Sequence, residues 1–177
     1  TFTVSATSSG FDSQFNGDAT NWFHVTGTPQ WYVSSTYLYT YGVADAFAST
    51  YYGSQQDTAT NYSNFDYRVR IFRDGCSTCA NGVMIRGVPS PLGSGNRWNS
   101  GYSFVYHRNG SYAIFKYTGG QATTLASWTS SGAINAGSAW NILRLVANGS
   151  TVDFYINQIH IGTLNNTQYT SGKVGLI

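Results

Sequence analysis

The chain contains no glutamate. Its seven acids are all aspartate, and only 9% of its residues are charged, against about 25% in an ordinary soluble domain. Any reaction that needs a glutamate as acid, base or nucleophile is thereby excluded. Lysine occurs only at 116 and 173, so arginine is the main cation. Without Glu and with so little Lys, the chain lacks the residues that favour helices. A net charge of +2 is too small for binding driven by phosphate neutralisation, which argues against a nucleic-acid partner. No apolar run approaches the ~18 residues of a membrane-spanning helix, so no membrane insertion is expected.

What is present favours strands. Val, Ile, Thr, Tyr, Phe and Trp are abundant, and turn-forming Gly and Asn punctuate them. In residues 101–117 (GYSFVYHRNGSYAIFKY), Tyr102, Phe104 and Tyr106 alternate with Ser103, Val105 and His107. Asn109-Gly110 then separates two strand-like runs, which predicts a hairpin closed by a type I′ turn. Residues 140–147 and 151–156 form a second such pair around Asn148-Gly149, and residues 159–164 return after a turn at Asn157. In residues 65–73 (FDYRVRIFR), Phe65, Tyr67, Val69 and Ile71 occupy one face, and Asp66, Arg68, Arg70 and Phe72 the other. Shorter strands are expected at 31–33, 37–41, 44–52 and 82–87, with the longest loop over 89–100. The length of 177 residues suits a single domain, and the pattern predicts an all-β, two-sheet antiparallel sandwich of roughly a dozen strands.

From about residue 10 to the end, the order of pieces resembles secreted bacterial laminin-G-like, concanavalin A-like jelly-roll domains. The pieces are YRVRIFR, NGVMIRG, GYSFVYHRNGSYAIFKYTGG, TTLASWTSSGAINAG, WNILRLVANGSTVDFYIN and YTSGKVGLI. The resemblance implies a jelly-roll sandwich, a secreted or cell-surface location, and a fold that hosts lectins, lyases, hydrolases and adhesive modules alike. The resemblance implies that such domains usually end in a further strand, which is expected to be missing after Gly175-Leu176-Ile177. Residues 1–9 therefore read as an N-terminal extension strand, with 1–5 (TFTVS) able to fill that slot or to pair with a neighbour. An unfilled slot would leave an open sheet edge prone to self-association.

Four chemistries come into question for these residues. Hydrolases of this fold use paired glutamates, which are missing, and the aspartates are scattered. Gln158-Ile159-His160 resembles a motif of alginate lyases with this fold, but their Arg-x-Glu-Leu strand cannot exist without glutamate. Asp12, Asn16 and Asp18 offer oxygens suited to calcium, and the resemblance supports a structural calcium near the termini; an Asx-rich turn is the plainer reading. Cys76 and Cys79 stand as a lone C-x2-C, expected as a local disulfide rather than half a zinc site.

The fourth chemistry is glycan binding, in which aromatic faces stack on sugar rings and planar polar groups hold hydroxyls. Its candidates are Arg68, Arg70, Arg86, Tyr106, His107, Trp22 and Trp98, on the concave sheet and its rim loops. The resemblance assigns Trp31, Trp128 and Trp140 to the core and leaves Trp22 and Trp98 for the surface. The reading is a non-catalytic extracellular module that binds a polysaccharide or cell-surface glycan. The alternative is a structural subunit or tip domain of a surface fibre joined by strand complementation, and a lyase or hydrolase domain comes third.

Overall fold

The structure is a computed structural model that describes residues 11–24, 31–40, 47–53, 60–89, 96–165 and 167–177. The expected extension strand over 1–9 and the first part of the 44–52 strand lie outside these residues. Thirteen strands run in chain order: β1 (Trp22–His24), β2 (Trp31–Ser34), β3 (Tyr37–Thr40), β4 (Thr50–Tyr52), β5 (Phe65–Phe72), β6 (Asn81–Gly87), β7 (Ser100–Tyr106), β8 (Ser111–Thr118), β9 (Gln121–Ser130), β10 (Trp140–Asn148), β11 (Thr151–Ile156), β12 (Ile159–Leu164) and β13 (Lys173–Leu176). They form a seven-stranded sheet in the order β1-β4-β13-β6-β7-β8-β9, a four-stranded sheet β12-β11-β10-β5, and the separate hairpin β2-β3. All ladders between these strands are antiparallel.

The alternation read in β5 holds. Tyr67 and Val69 are fully buried and Phe65 nearly so, while Arg68, Arg70 and Phe72 face out. Across the sandwich, Leu143, Leu145 and Phe154 of the small sheet meet Val83, Ile85 and Phe104 of the large one. Phe104 and Phe154 join the sheets edge to face at 5.2 Å. Tyr67 also donates its hydroxyl to the Gly175 carbonyl at 3.2 Å, a polar tie across an apolar core.

The turns differ from expectation in type. Gly110 and Gly149 have positive φ (90° and 54°), but their preceding asparagines do not. Residues 107–111 instead form a turn ended by a left-handed glycine, with the His107 amide donating to the Ser111 carbonyl and Gly110 to His107. The Asn109 carboxamide oxygen accepts from the Ser111 amide, so its side chain rather than its φ stabilises the loop. Positive φ at both central positions, the I′ pattern, occurs at Asn157-Gln158 (48° and 73°) and at Gly119-Gly120 (57° and 76°).

Candidate functional site

The outer face of the small sheet gathers several cations and aromatics through strand register. Trp140 of β10 lies opposite Phe72 of β5, Ile142 opposite Arg70, and Arg144 opposite Arg68. Tyr155 of β11 continues the last row beyond Arg144. The Arg144 guanidinium sits 5.0 Å over the Tyr155 ring and forms a two-pronged bond to Asp66 at 2.8 and 2.7 Å. Arg68 shares the same carboxylate at 3.2 Å. Burial alone would raise the pKa of Asp66. Hydrogen bonds from Arg144 and Arg68, together with their charges, outweigh that and hold it below the usual carboxylate range.

At the other end of this face the β2–β3 hairpin stands over β5 and β10. Together with Asn81, Gly82 and Leu176 of the larger sheet they line a cleft of about 850 Å³ that reaches past the β5 edge to the inward-facing Val69 and Ile71 and to Trp31. Three aromatic rings form a shelf in it: Tyr37 lies 5.5 Å from Trp140, and Phe72 5.3 Å from Trp140. Tyr37 is 52% exposed and Phe72 46%, high values for rings this large. The Arg70 guanidinium lies 4.2 Å above the Trp140 ring. Ser34, Thr36, Gln14 and Asn16 add uncharged polar groups to the lining.

Of the residues expected to contact a glycan, Arg70 alone lines this cleft. Arg68 shares its sheet face but is occupied by Asp66. Arg86 is buried and serves the interior. Its Nη1 donates to Thr167 at 3.0 Å, and its Nη2 donates to the carbonyls of Ser63 and Gly149 at 2.7 Å each. A register shift causes this: β13 pairs Lys173 with Gly87 and then Val174 with Ile85, which leaves Arg86 as the extra residue with φ 50°. The bulge re-aims a side chain that simple alternation would send outward.

Tyr106 also points inward, donating to the Ile71 carbonyl at 3.3 Å. Burial pushes its pKa up to about 12, partly offset by Asn141 and Arg73. His107 stacks on Trp128 at 3.5 Å, and burial, with the Arg73 charge, holds its pKa below the ordinary value.

The tryptophan assignments are corrected most. Trp22 is 4% exposed, with its indole N–H donated to Ser13 at 2.9 Å, and Trp98 is wholly buried. Trp128, expected in the core, is 41% exposed, and Trp140 is half-buried at the cleft. Trp98 is buried because glycines make room for it on the outer face of the large sheet. A Cβ on Gly175 would come within 2.6 Å of the indole, and one on Gly87 closer still. Tyr51, Met84 and Tyr117 complete a second small core there, so this stretch of the larger sheet's outer face is filled.

Cys76 and Cys79 form the expected disulfide. Asp18 accepts from the Thr20 amide and hydroxyl at 3.1 and 3.0 Å, and Asp12 accepts from Gln14 at 2.8 Å. These carboxylates therefore serve local turns beside Asn16. Among the described residues no group of three or more His, Cys, Asp or Glu side chains gathers around a common point. Gln158 is an exposed turn residue, and His160 lies at the edge strand 3.4 Å from Asp153.

No protein-family model matches the chain, and no curated protein matches it. Solved structures do. Carbohydrate binding module CBM66 from Bacillus subtilis superposes with a TM-score of 0.67 at 18% identity, over 88% of this chain and 86% of that one. Bacillus licheniformis beta-glucanase gives 0.70 at 12%, over 97% and 85%. A putative glycosyl hydrolase from Parabacteroides distasonis gives 0.61 at 13%, over 89% and 81%. At such identities the likeness establishes the fold: the chain is an all-β, antiparallel jelly-roll sandwich of the concanavalin A-like kind.

Proposed function

We propose that this protein is a non-catalytic glycan-binding module and that the cleft under the β2–β3 hairpin is its binding site. The observation that carries this reading is the shelf of Tyr37, Phe72 and Trp140, left open in a cleft of about 850 Å³. Exposed rings in a concave site offer flat apolar faces to the C–H patches of a sugar, and the surrounding Ser, Thr, Asn and Gln match its hydroxyls. Shared fold with a carbohydrate binding module and with glycan hydrolases is consistent with this but does not choose between binding and catalysis. The acids favour binding. The chain has no glutamate. The described aspartates each serve separate partners: Asp66 two arginines, Asp74 Ser138, Asp153 Thr163. The disulfide fits an oxidising, extracytoplasmic setting. Retention of the intact protein on an array of immobilised polysaccharides, lost in Trp140→Ala, is the expected result. Equal retention of both forms would sink the assignment of the site.

A second reading, self-association, is favoured by β9. It is the edge of the large sheet, it runs ten residues, and nine of them are exposed. It carries no charge and no proline to block pairing with another chain, and among the described residues its outer edge has no backbone partner. Two copies could pair β9 with β9 in antiparallel register without opposing like charges. Light scattering should then report a two-copy mass that Leu125→Lys reduces to one. A single-copy mass at high protein concentration would dismiss this reading.

A further inference from the structure

The electrostatics of the cleft point to its ligand class. This inference rests on the reading of the cleft as a glycan site. Among the described residues, its lining holds one charged side chain, Arg70, and no acid. Every other arginine on this sheet face has a carboxylate: Arg68 and Arg144 both bond Asp66. Arg70 has neither an acid nor a hydrogen-bond partner among the described residues. Its guanidinium carbon lies 4.2 Å from the centre of the Trp140 ring, a contact that spends none of its N–H groups on a hydrogen-bond acceptor.

A second uncompensated cation stands behind the cleft wall. Arg73 is 4% exposed, donates through Nη1 to the side chain of Asn81 and through Nη2 to the Cys76 carbonyl, and keeps a buried Nε without a partner. Asn81 itself lines the cleft. Arg73 has no acid partner among the described residues, whereas its neighbour Arg108 has Asp74. Two cations thus face or back a cleft whose described lining holds no carboxylate. A neutral sugar would leave Arg70's donors to water. A carboxylate would accept two of them in a planar fork while the sugar ring lies on the aromatic shelf.

We propose that the cleft selects a glycan with carboxylate-bearing sugars, with Arg70 gripping the carboxylate and Tyr37, Phe72 and Trp140 stacking the ring. The test uses oligosaccharides of galacturonate, glucuronate, mannuronate and guluronate, each beside its carboxyl-reduced neutral counterpart, plus a sulfated neutral oligosaccharide. Calorimetry is run on the intact protein, on Arg70→Gln, on Arg70→Lys and on Trp140→Ala. At least one uronide should bind about tenfold or more tightly than its reduced form, with affinity falling as salt rises. Arg70→Gln should erase that tenfold preference while retaining the weaker neutral binding, and Arg70→Lys should recover only part of it. Trp140→Ala should weaken both members of a pair.

Equal affinity for a uronide and its reduced form, unchanged by Arg70→Gln, overturns the carboxylate proposal and leaves the glycan site standing. Equal affinity for the sulfated oligosaccharide overturns the preference for carboxylate over charge alone. No binding by any member of the set overturns both the proposal and the site. Arg70 is exposed, so thermal unfolding of Arg70→Gln should match the parent and show that any lost binding is local.

Discussion

The two sheets treat the same residue types in opposite ways on their outer faces. On the small sheet, Trp140 and Arg70 lie beside an open cleft. On the large sheet, Trp98 is wholly buried over glycines, and Arg86 is turned by a bulge into the interior. The difference lies in the neighbours. Gly87 and Gly175 leave a shallow pit that an indole fills, whereas Phe72 and Ile142 stand beside Trp140 and Arg70 and leave no pit to fill. Arginine and tryptophan stay open to solvent where their own sheet cannot consume them.

Substitutions can break this contrast. The largest effect is expected for Trp98→Ala, which empties the small core on the large sheet and should cost about 4 kcal/mol in denaturant unfolding. Arg86→Ala strands the carbonyls of Ser63 and Gly149, and about 3 kcal/mol should be lost. If either change proves neutral, the large sheet's face is not the filled, structural surface described above. Trp140→Ala should behave differently, costing only about 1–2 kcal/mol while removing glycan retention.

The smallest effect concerns Asp66. Its pKa is depressed in the folded state, so its pairing stabilises the protein above the unfolded value of about 4. That contribution disappears as pH falls through the lower folded value. Asp66→Asn should cost about 1 kcal/mol at neutral pH and flatten the loss of stability below about pH 4. An unchanged acid limb would mean that the pair is too solvated to matter.

Much of the small sheet was legible in the sequence. The alternation of β5 placed Arg68, Arg70 and Phe72 on one face, and the residues 151–156 and 159–164 emerged as β11 and β12 with those bounds. In the larger sheet the β7–β8 hairpin is equally plain in the sequence, but its edge is not. Its edge strand β9 has Thr, Ser and Ala where alternation would need large apolar residues, so no period marked it. The shelf in the cleft was harder still. Alternation orients Phe72, but the resemblance places Trp140 in the core, and Tyr37 reads only as the start of a short strand. Their meeting depends on antiparallel register and on where a separate hairpin lies, neither of which is a local property. The glycines of β6 and β13 are the one trace in the sequence that could have placed Trp98, since a strand glycine often marks close approach by another group.

By itself the sequence determined the class of the molecule. The lack of glutamate, the scarcity of charge and the wealth of β-branched and aromatic residues fix a strand-built domain with no glutamate to serve as acid, base or nucleophile. Alternation also fixed which side of β5 faces the core, because side-chain direction along a strand has a period of two. Only the tertiary structure decided which arginines and tryptophans remain available. Burial of a long side chain depends on what approaches from other strands: a bulge turned Arg86 inward, two glycines admitted Trp98, and register set Trp140 beside Phe72 in the cleft.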